Sequence, residues 1–295
     1  MANVLISCNR AKYREYYGNR ALKSEFIGTK TPKKGIYKEY YKSGNIKQVD
    51  IYDNDVKVDS SVYYFEDYEN QIKEIRYFND SSIRIVGYDR NGNKTKEGKS
   101  LMDDPSYRIG KWAFHKQKTK TDSIVEYITV DGKSYVNQIW HKNIEGDTIL
   151  GRGNYTEIVK KDSFNLGDLV RLRFILMESF YGVNSDIIII IPKDENLLKE
   201  DYSNLLEIER DTIQSLKNDG IPRPGIPKEM PINHIAEFGL KYDEPGQYGL
   251  RGALVEYVYK KLENAKKPDS IYRVERRLFF DDTFFIRDTS DNVPR

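Results

Sequence analysis

The chain is predicted to be mostly β: a sheet of repeated hairpins, followed by a β-sandwich-like domain with at most one or two short helices. Three observations predict this. Aromatic residues fill 13% of the 295 positions, led by 23 Tyr, and such residues suit half-buried pleated surfaces. Apolar residues alternate between turn dipeptides, as at Ile75, Tyr77 and Ile83, Ile85, which excludes helical spacing there. An aromatic strand followed by a turn returns every 23 to 24 residues: Tyr40 to Tyr63, then Tyr64, Tyr88, Trp112 and Tyr135.

The first 32 residues read as a tether: polar, basic and Gly-containing after Cys8. Leu5-Ile6-Ser7-Cys8 resembles a bacterial lipobox, in which small and aliphatic residues precede a cysteine that becomes lipidated and N-terminal after cleavage. Only Met1 to Val4 precede it, where a signal peptide has a basic and then an apolar stretch. Cys8 is the single cysteine, so it forms no intramolecular disulfide and no cysteine-based zinc cluster, and lipidation is the role expected of it.

Residues 33–160 read as the repeat sheet. Within it, Gly-Ile-Tyr-Lys-Glu-Tyr-Tyr-Lys-Ser-Gly-Asn-Ile-Lys over 35–47 reads as strand, tight turn, strand, with Gly44 supplying the turn and Tyr37, Tyr40 and Tyr41 the aromatic surface. This segment resembles the MORN repeat, in the bacterial variant with a Gly-x-Trp/Tyr-x-x-Tyr-Tyr-x-x-Gly-x-hydrophobic-Lys core. Looser copies follow at Tyr63-Tyr64-Phe65, at Tyr88 before Asn91-Gly92-Asn93, and at Gly110-Lys111-Trp112. The resemblance implies stacked hairpins whose motif residues are Tyr37, Tyr40, Tyr41, Gly44, Tyr64, Gly92 and Trp112. The chain departs from the pattern at Asn54-Asp55, where the family has Asn-Gly, and at 67–70, where the turn has no glycine.

Residues 161–287 read as the sandwich. Leu169–Leu176 and Gln247–Tyr259 alternate, and Ile187–Ile191 is apolar throughout, as in a strand buried on both faces. Asn204–Lys217 reads either as a helix, with Leu205, Ile208, Thr212 and Leu216 on one face, or as an edge strand. Four prolines between 222 and 231 mark a rigid surface connection. Pro245 to Gly252 and the strand after it are similar to the late strands of immunoglobulin-like sandwiches. Residues 288–295 read as a tail.

Chemistry is sparse in the sequence. His115, His141 and His234 read as surface or turn histidines, and no nucleophile elbow, phosphate loop or zinc-protease motif is present. The acidic pairs at 194–195, 200–201 and 281–282 lack the spacing of a calcium loop. No metal and no cofactor is expected. The formal charge of +2 argues against nucleic acid as a partner.

The function expected is a non-catalytic lipoprotein of the cell envelope, on the periplasmic side of the outer membrane, held by lipid at Cys8 and binding a protein or envelope polymer. The alternatives are a cytoplasmic module, since proteins bearing this repeat variant are often labelled antitoxin-like, and an envelope hydrolase acting on carbohydrate through the C-terminal part.

Overall fold

The computed structural model describes residues 11–79, 81–116, 121–221, 231–261 and 271–288. Strands take 65% of the chain, and among the described residues no helix reaches seven residues. The chain forms two compact units, 1–124 and 125–295. The sequence reading placed the division at 160/161, so strands over 125–160 lie in the second unit.

The first unit is an antiparallel meander of β1 (Lys12–Tyr16), β2 (Leu22–Lys30), β3 (Lys33–Tyr40), β4 (Ile46–Asp53), β5 (Val56–Tyr64), β6 (Ile72–Phe78), β7 (Ser82–Tyr88), β8 (Lys94–Leu101) and β9 (Arg108–Lys116), leading into β10 (Thr121–Val130). Its hairpins repeat. The turns after β1, β3, β5 and β7 are each closed by a backbone bond, from Tyr17 N to Ala21 O, Tyr41 N to Asn45 O, Phe65 N to Gln71 O and Asp89 N to Asn93 O. Each turn follows a strand-ending tyrosine, Tyr16, Tyr40, Tyr64 and Tyr88, one every 24 residues from 16 to 88. At each of these tyrosines the strand register slips by a bulge.

Successive hairpins are also stitched by side chains. Tyr17 Oη donates to Tyr40 O at 2.7 Å, and Tyr41 Oη donates to Tyr64 O at 2.9 Å, both across 23 residues. Phe65 has no hydroxyl to continue the series. There Gln71 Nε2 donates to Arg90 O, and the Arg90 guanidinium lies 5.4 Å from the Phe65 ring.

Turns without glycine are made by residues that tolerate a left-handed backbone. Asn54 and Asp55 take φ of 49° and 67°, and Asn70 takes 59°. Asn and Asp do this at modest cost because their short polar side chains bond locally. Gly44 has φ of 94°, and its N–H donates to Tyr41 O at 3.0 Å. Gly44→Val is expected to destabilise the first unit by about 1–3 kcal/mol through strain at that turn. The check is a urea unfolding curve, and an unchanged midpoint would rule out strain there.

The second unit is a two-sheet sandwich. One sheet orders the end of β10, β11 (Lys133–Lys142), β12 (Thr148–Val159), β14 (Val170–Glu178) and β17 (Ile235–Leu240). The other orders β13 (Ser163–Asn165), β19 (Ile271–Arg287), β18 (Gly246–Lys261), β15 (Asp186–Pro192) and β16 (Arg210–Gln214). Between them lies an aliphatic and phenylalanine core in which Val170, Leu172, Phe174, Ile187, Ile189, Ala236 and Leu254 are wholly buried. The outer face of β15 and β18 is buried too, because the segment between β15 and β16 folds back over it with Leu198, Tyr202 and Leu205 on Ile190, Ala253 and Val255. That is why 187–191 is apolar at every position.

Of the two readings of 204–217, the edge strand β16 is found over 210–214, with turns before it. The only helical pieces among the described residues are short 3-10 turns, Glu195–Leu197 and Ile232–His234. No described helix is long and apolar enough to cross a membrane.

Candidate functional site

In the first unit, rings and charged groups share the sheet with a few buried aliphatic residues, Ile83, Ile85 and Val86. One row of register partners runs across eight strands: Tyr13, Phe26, Tyr37, Asp50, Ser61, Arg76, Ile85 and Gly98. At its centre the Asp50 carboxylate is buried and accepts from Gln48 Nε2 at 2.8 Å and Ser61 Oγ at 2.5 Å, with Lys57 Nζ at 2.7 Å. Burial works against the Lys57 ammonium, but the hydrogen bond and charge of Asp50 outweigh it and raise its pKa. A buried carboxylate persists only when compensated in this way.

Toward β1 the row becomes aromatic and basic. Lys33 Nζ lies 3.6 Å from the Tyr52 ring centroid, 4.9 Å from Tyr37 and 5.5 Å from Phe26. Its backbone is held by the turn of Asp55, whose carboxylate accepts from Lys33 N at 2.8 Å. Beside this cage Lys30 covers Tyr13 at 4.6 Å, and Arg76 covers Tyr63 at 4.5 Å. A groove of about 740 Å³ is lined by Tyr13, Ile27, Ile36, Ile51, Tyr52 and Val58, and Gly28 stands opposite Gly35 with the strands so close that a Cβ on either would sit 2.1–2.2 Å from a carbonyl oxygen of the facing strand. Cation–π contacts of this kind are worth about 0.5–1 kcal/mol each where exposed.

The motif residues of the sequence are distributed, not convergent. Tyr37 belongs to the Lys33 cage. Tyr40, Tyr41 and Tyr64 form the hydroxyl-to-carbonyl stitches, and Gly44 and Gly92 are turn residues with positive φ. Trp112 is structural: its ring is 1% exposed and lies on Gly98, where a Cβ would be 2.2 Å from it, and its Nε1 donates to Lys99 O at 2.8 Å. Cys8 lies outside the described residues, as does most of the proline-rich connection.

In the second unit a polar cluster forms that the sequence does not announce. Glu256, in the middle of β18, is fully buried. Its carboxylate accepts from Phe180 N and Tyr181 N at 3.0 Å, from Ser185 Oγ at 2.8 Å, from Ser179 Oγ, and from Asn154 Nδ2 at 3.4 Å. Asn154 in turn accepts from Arg276 Nε at 2.7 Å, and the Arg276 guanidinium also donates to Tyr135 Oη and to the carbonyls of Val136 and Asn137. Ser185 and His234 Nε2 are 2.9 Å apart.

A serine, a histidine and a carboxylate thus meet, but not as a nucleophile with its base. The Ser185 hydroxyl is wholly buried and donates to Glu256, and the carboxylate ties down the 179–185 connection between β14 and β15. A triad instead places the carboxylate behind the histidine and the serine toward substrate.

His234 is a turn histidine but not a surface one: it ends a 3-10 turn and is only 4% exposed. Apolar Ile232 faces outward at 45% exposure while the turn brings the imidazole in against Ser185. Burial lowers its pKa, against the charges of Glu256 and Asp186 and a backbone hydrogen bond with Ser185. Between the ordinary value of 6.5 and the lower folded value, the unfolded chain binds the proton and the folded one does not. Stability is therefore expected to fall as pH drops below about 6.5, and His234→Gln to flatten that slope. Urea midpoints at pH 7.5 and 5.5 for both proteins provide the check, with equal slopes ruling it out.

No family model, no curated protein and no solved structure matches this chain.

Proposed function

We propose that this chain is a non-catalytic binding protein of the cell envelope, carried on lipid at Cys8, that engages a protein or envelope polymer through the aromatic and basic face of its first unit. The observation that carries the reading is the cage of Phe26, Tyr37 and Tyr52 around Lys33. Such a face offers flat apolar rings together with ammonium groups, so it suits a partner with acidic groups on a semi-rigid backbone. The Ser185, His234 and Glu256 cluster supports the non-catalytic part, since its donors and acceptors are spent on one another.

Two measurements test the proposal. Purified chain should co-sediment with isolated outer-membrane vesicles or with peptidoglycan sacculi at low salt, and the Tyr37→Ala, Tyr52→Ala double variant should bind at least tenfold more weakly. Equal binding by the variant would defeat the assignment of this face. For the anchor, the natural gene expressed in its host should yield a protein that incorporates radiolabelled palmitate, and Cys8→Ser should abolish the label. An unlabelled wild-type protein would defeat the anchor.

A further inference from the structure

At one end of the sandwich, where β15, β16, β17 and β18 meet, a groove of about 590 Å³ opens between the sheets. This is within the range of small-ligand sites. Its floor is apolar, from Ile191, Leu240 and Leu250, and one wall is a pair of rings: Tyr242 and Tyr248, with centroids 4.1 Å apart. Both rings back onto Phe284, at 5.4 and 6.2 Å, and Phe284 is 1% exposed in the core. The wall is therefore set before any ligand arrives.

Facing the rings is Glu195, in the 3-10 turn after β15. Its carboxylate rests on the backbone of Gly249, where a Cβ would lie 2.0 Å from Oε1. The turn is fixed by Asp194, which caps Asn196 N at 3.0 Å, and by Leu198, which packs on the sheet behind it. Among the described residues neither the Glu195 carboxylate nor the Tyr242 hydroxyl has a hydrogen-bond partner. Two partly buried polar groups thus open onto one aromatic wall with their bonding capacity unspent.

Charge narrows the ligand. Lys193, Lys241 and Arg251 are matched in number by Asp194, Glu195 and Asp211 along the groove. Lys193 is paired to Glu209 at 2.6 Å, and Arg251 lies 3.3 Å from Asp281. Neither an anion nor a cation is selected. A ligand with a flat apolar face for the rings and hydroxyls for the carboxylate and the phenol fits both demands.

We propose that this groove binds an uncharged carbohydrate, a sugar ring lying against Tyr242 and Tyr248 with its hydroxyls donating to Glu195. Burial raises the Glu195 pKa, opposed by Arg251 and aided by Asp281. The inference is independent of the first unit's face.

Calorimetric titration of the whole chain with cellohexaose, with tetra-N-acetylchitotetraose and with hexagalacturonate tests it. Saturable binding of a neutral oligosaccharide is expected, weakened at least tenfold by Glu195→Gln, by Tyr242→Ala and by Gly249→Ala, whose methyl group takes the place of the carboxylate. Because Tyr242 packs on the core, Glu195→Gln and Gly249→Ala decide the matter if Tyr242→Ala does not fold. Binding of neither neutral sugar, equal affinity in those two variants, or preference for hexagalacturonate overturns the proposal. The Tyr37→Ala, Tyr52→Ala variant should bind the sugar as wild type does, which separates this outcome from that of the envelope test. Release of shortened oligosaccharides would support the ligand class and replace the non-catalytic reading with a hydrolase.

Discussion

Glu256→Ala is expected to destabilise the second unit by about 3–5 kcal/mol, because it removes a wholly buried acceptor for two backbone N–H groups, two serine hydroxyls and an asparagine amide. Each buried donor left unpaired costs about 1–3 kcal/mol, and the connection can recover some of them only by opening. Glu256→Gln keeps the volume but turns one end of the group into a donor facing donors, so a loss of about half that size is expected. Urea unfolding followed by circular dichroism measures both, and hydrogen exchange gives a local readout. The amides of Phe180 and Tyr181 should lose protection before the core strands do. A Glu256→Ala protein with the wild-type midpoint would show that the carboxylate does not hold the connection.

Trp112→Ala should have the largest effect in the first unit, about 3–5 kcal/mol. Trp112 is the largest fully buried side chain, stacks on Phe114 at 6.1 Å, and satisfies Lys99 O through its indole N–H. Trp112→Phe keeps a ring but loses the indole hydrogen bond to Lys99 O, so a smaller loss of about 1–2 kcal/mol is expected. Gly98→Val should destabilise by overpacking, since its side chain would occupy the position of the indole ring. Amide exchange in β7 to β9 is the measurement, and unaltered protection in Trp112→Ala would show that the ring does not anchor those strands.

The hairpins were legible in the sequence because their information is local. Tyr40, Tyr41 and Gly44 fall within one turn and its flanks, and turn chemistry acts over four or five residues. The apolar run 187–191 likewise announced a strand buried on both faces. Tyr16 and Tyr17 stand one 24-residue step before Tyr40 and Tyr41 and form the first hairpin of the series. The signal was present, but the polar composition of the first 32 residues read as a tether and masked it.

The site residues are a different matter. Asn154, Ser185, His234 and Glu256 are far apart in the chain and meet only when β12 and β18 come together with the connection before β15 and the turn before β17, and a lone glutamate in an alternating strand carries no mark of burial. Glu195 was visible only as half of an acidic pair. Its orientation over Gly249 depends on a segment folding back across a sheet, which no periodicity records.

The even spacing of the strand-ending tyrosines bears on how this protein can change by insertion and deletion. Side chains alternate faces along a strand, so losing an odd number of residues would exchange the two faces everywhere after the cut. Excising one whole hairpin, residues 41–64, joins Tyr40 to Phe65 and leaves a strand-ending tyrosine followed by a turn, as before. Growth or shrinkage of the first unit is therefore quantised in hairpins, and each step adds or removes a strip of the aromatic and basic face without redrawing the rest.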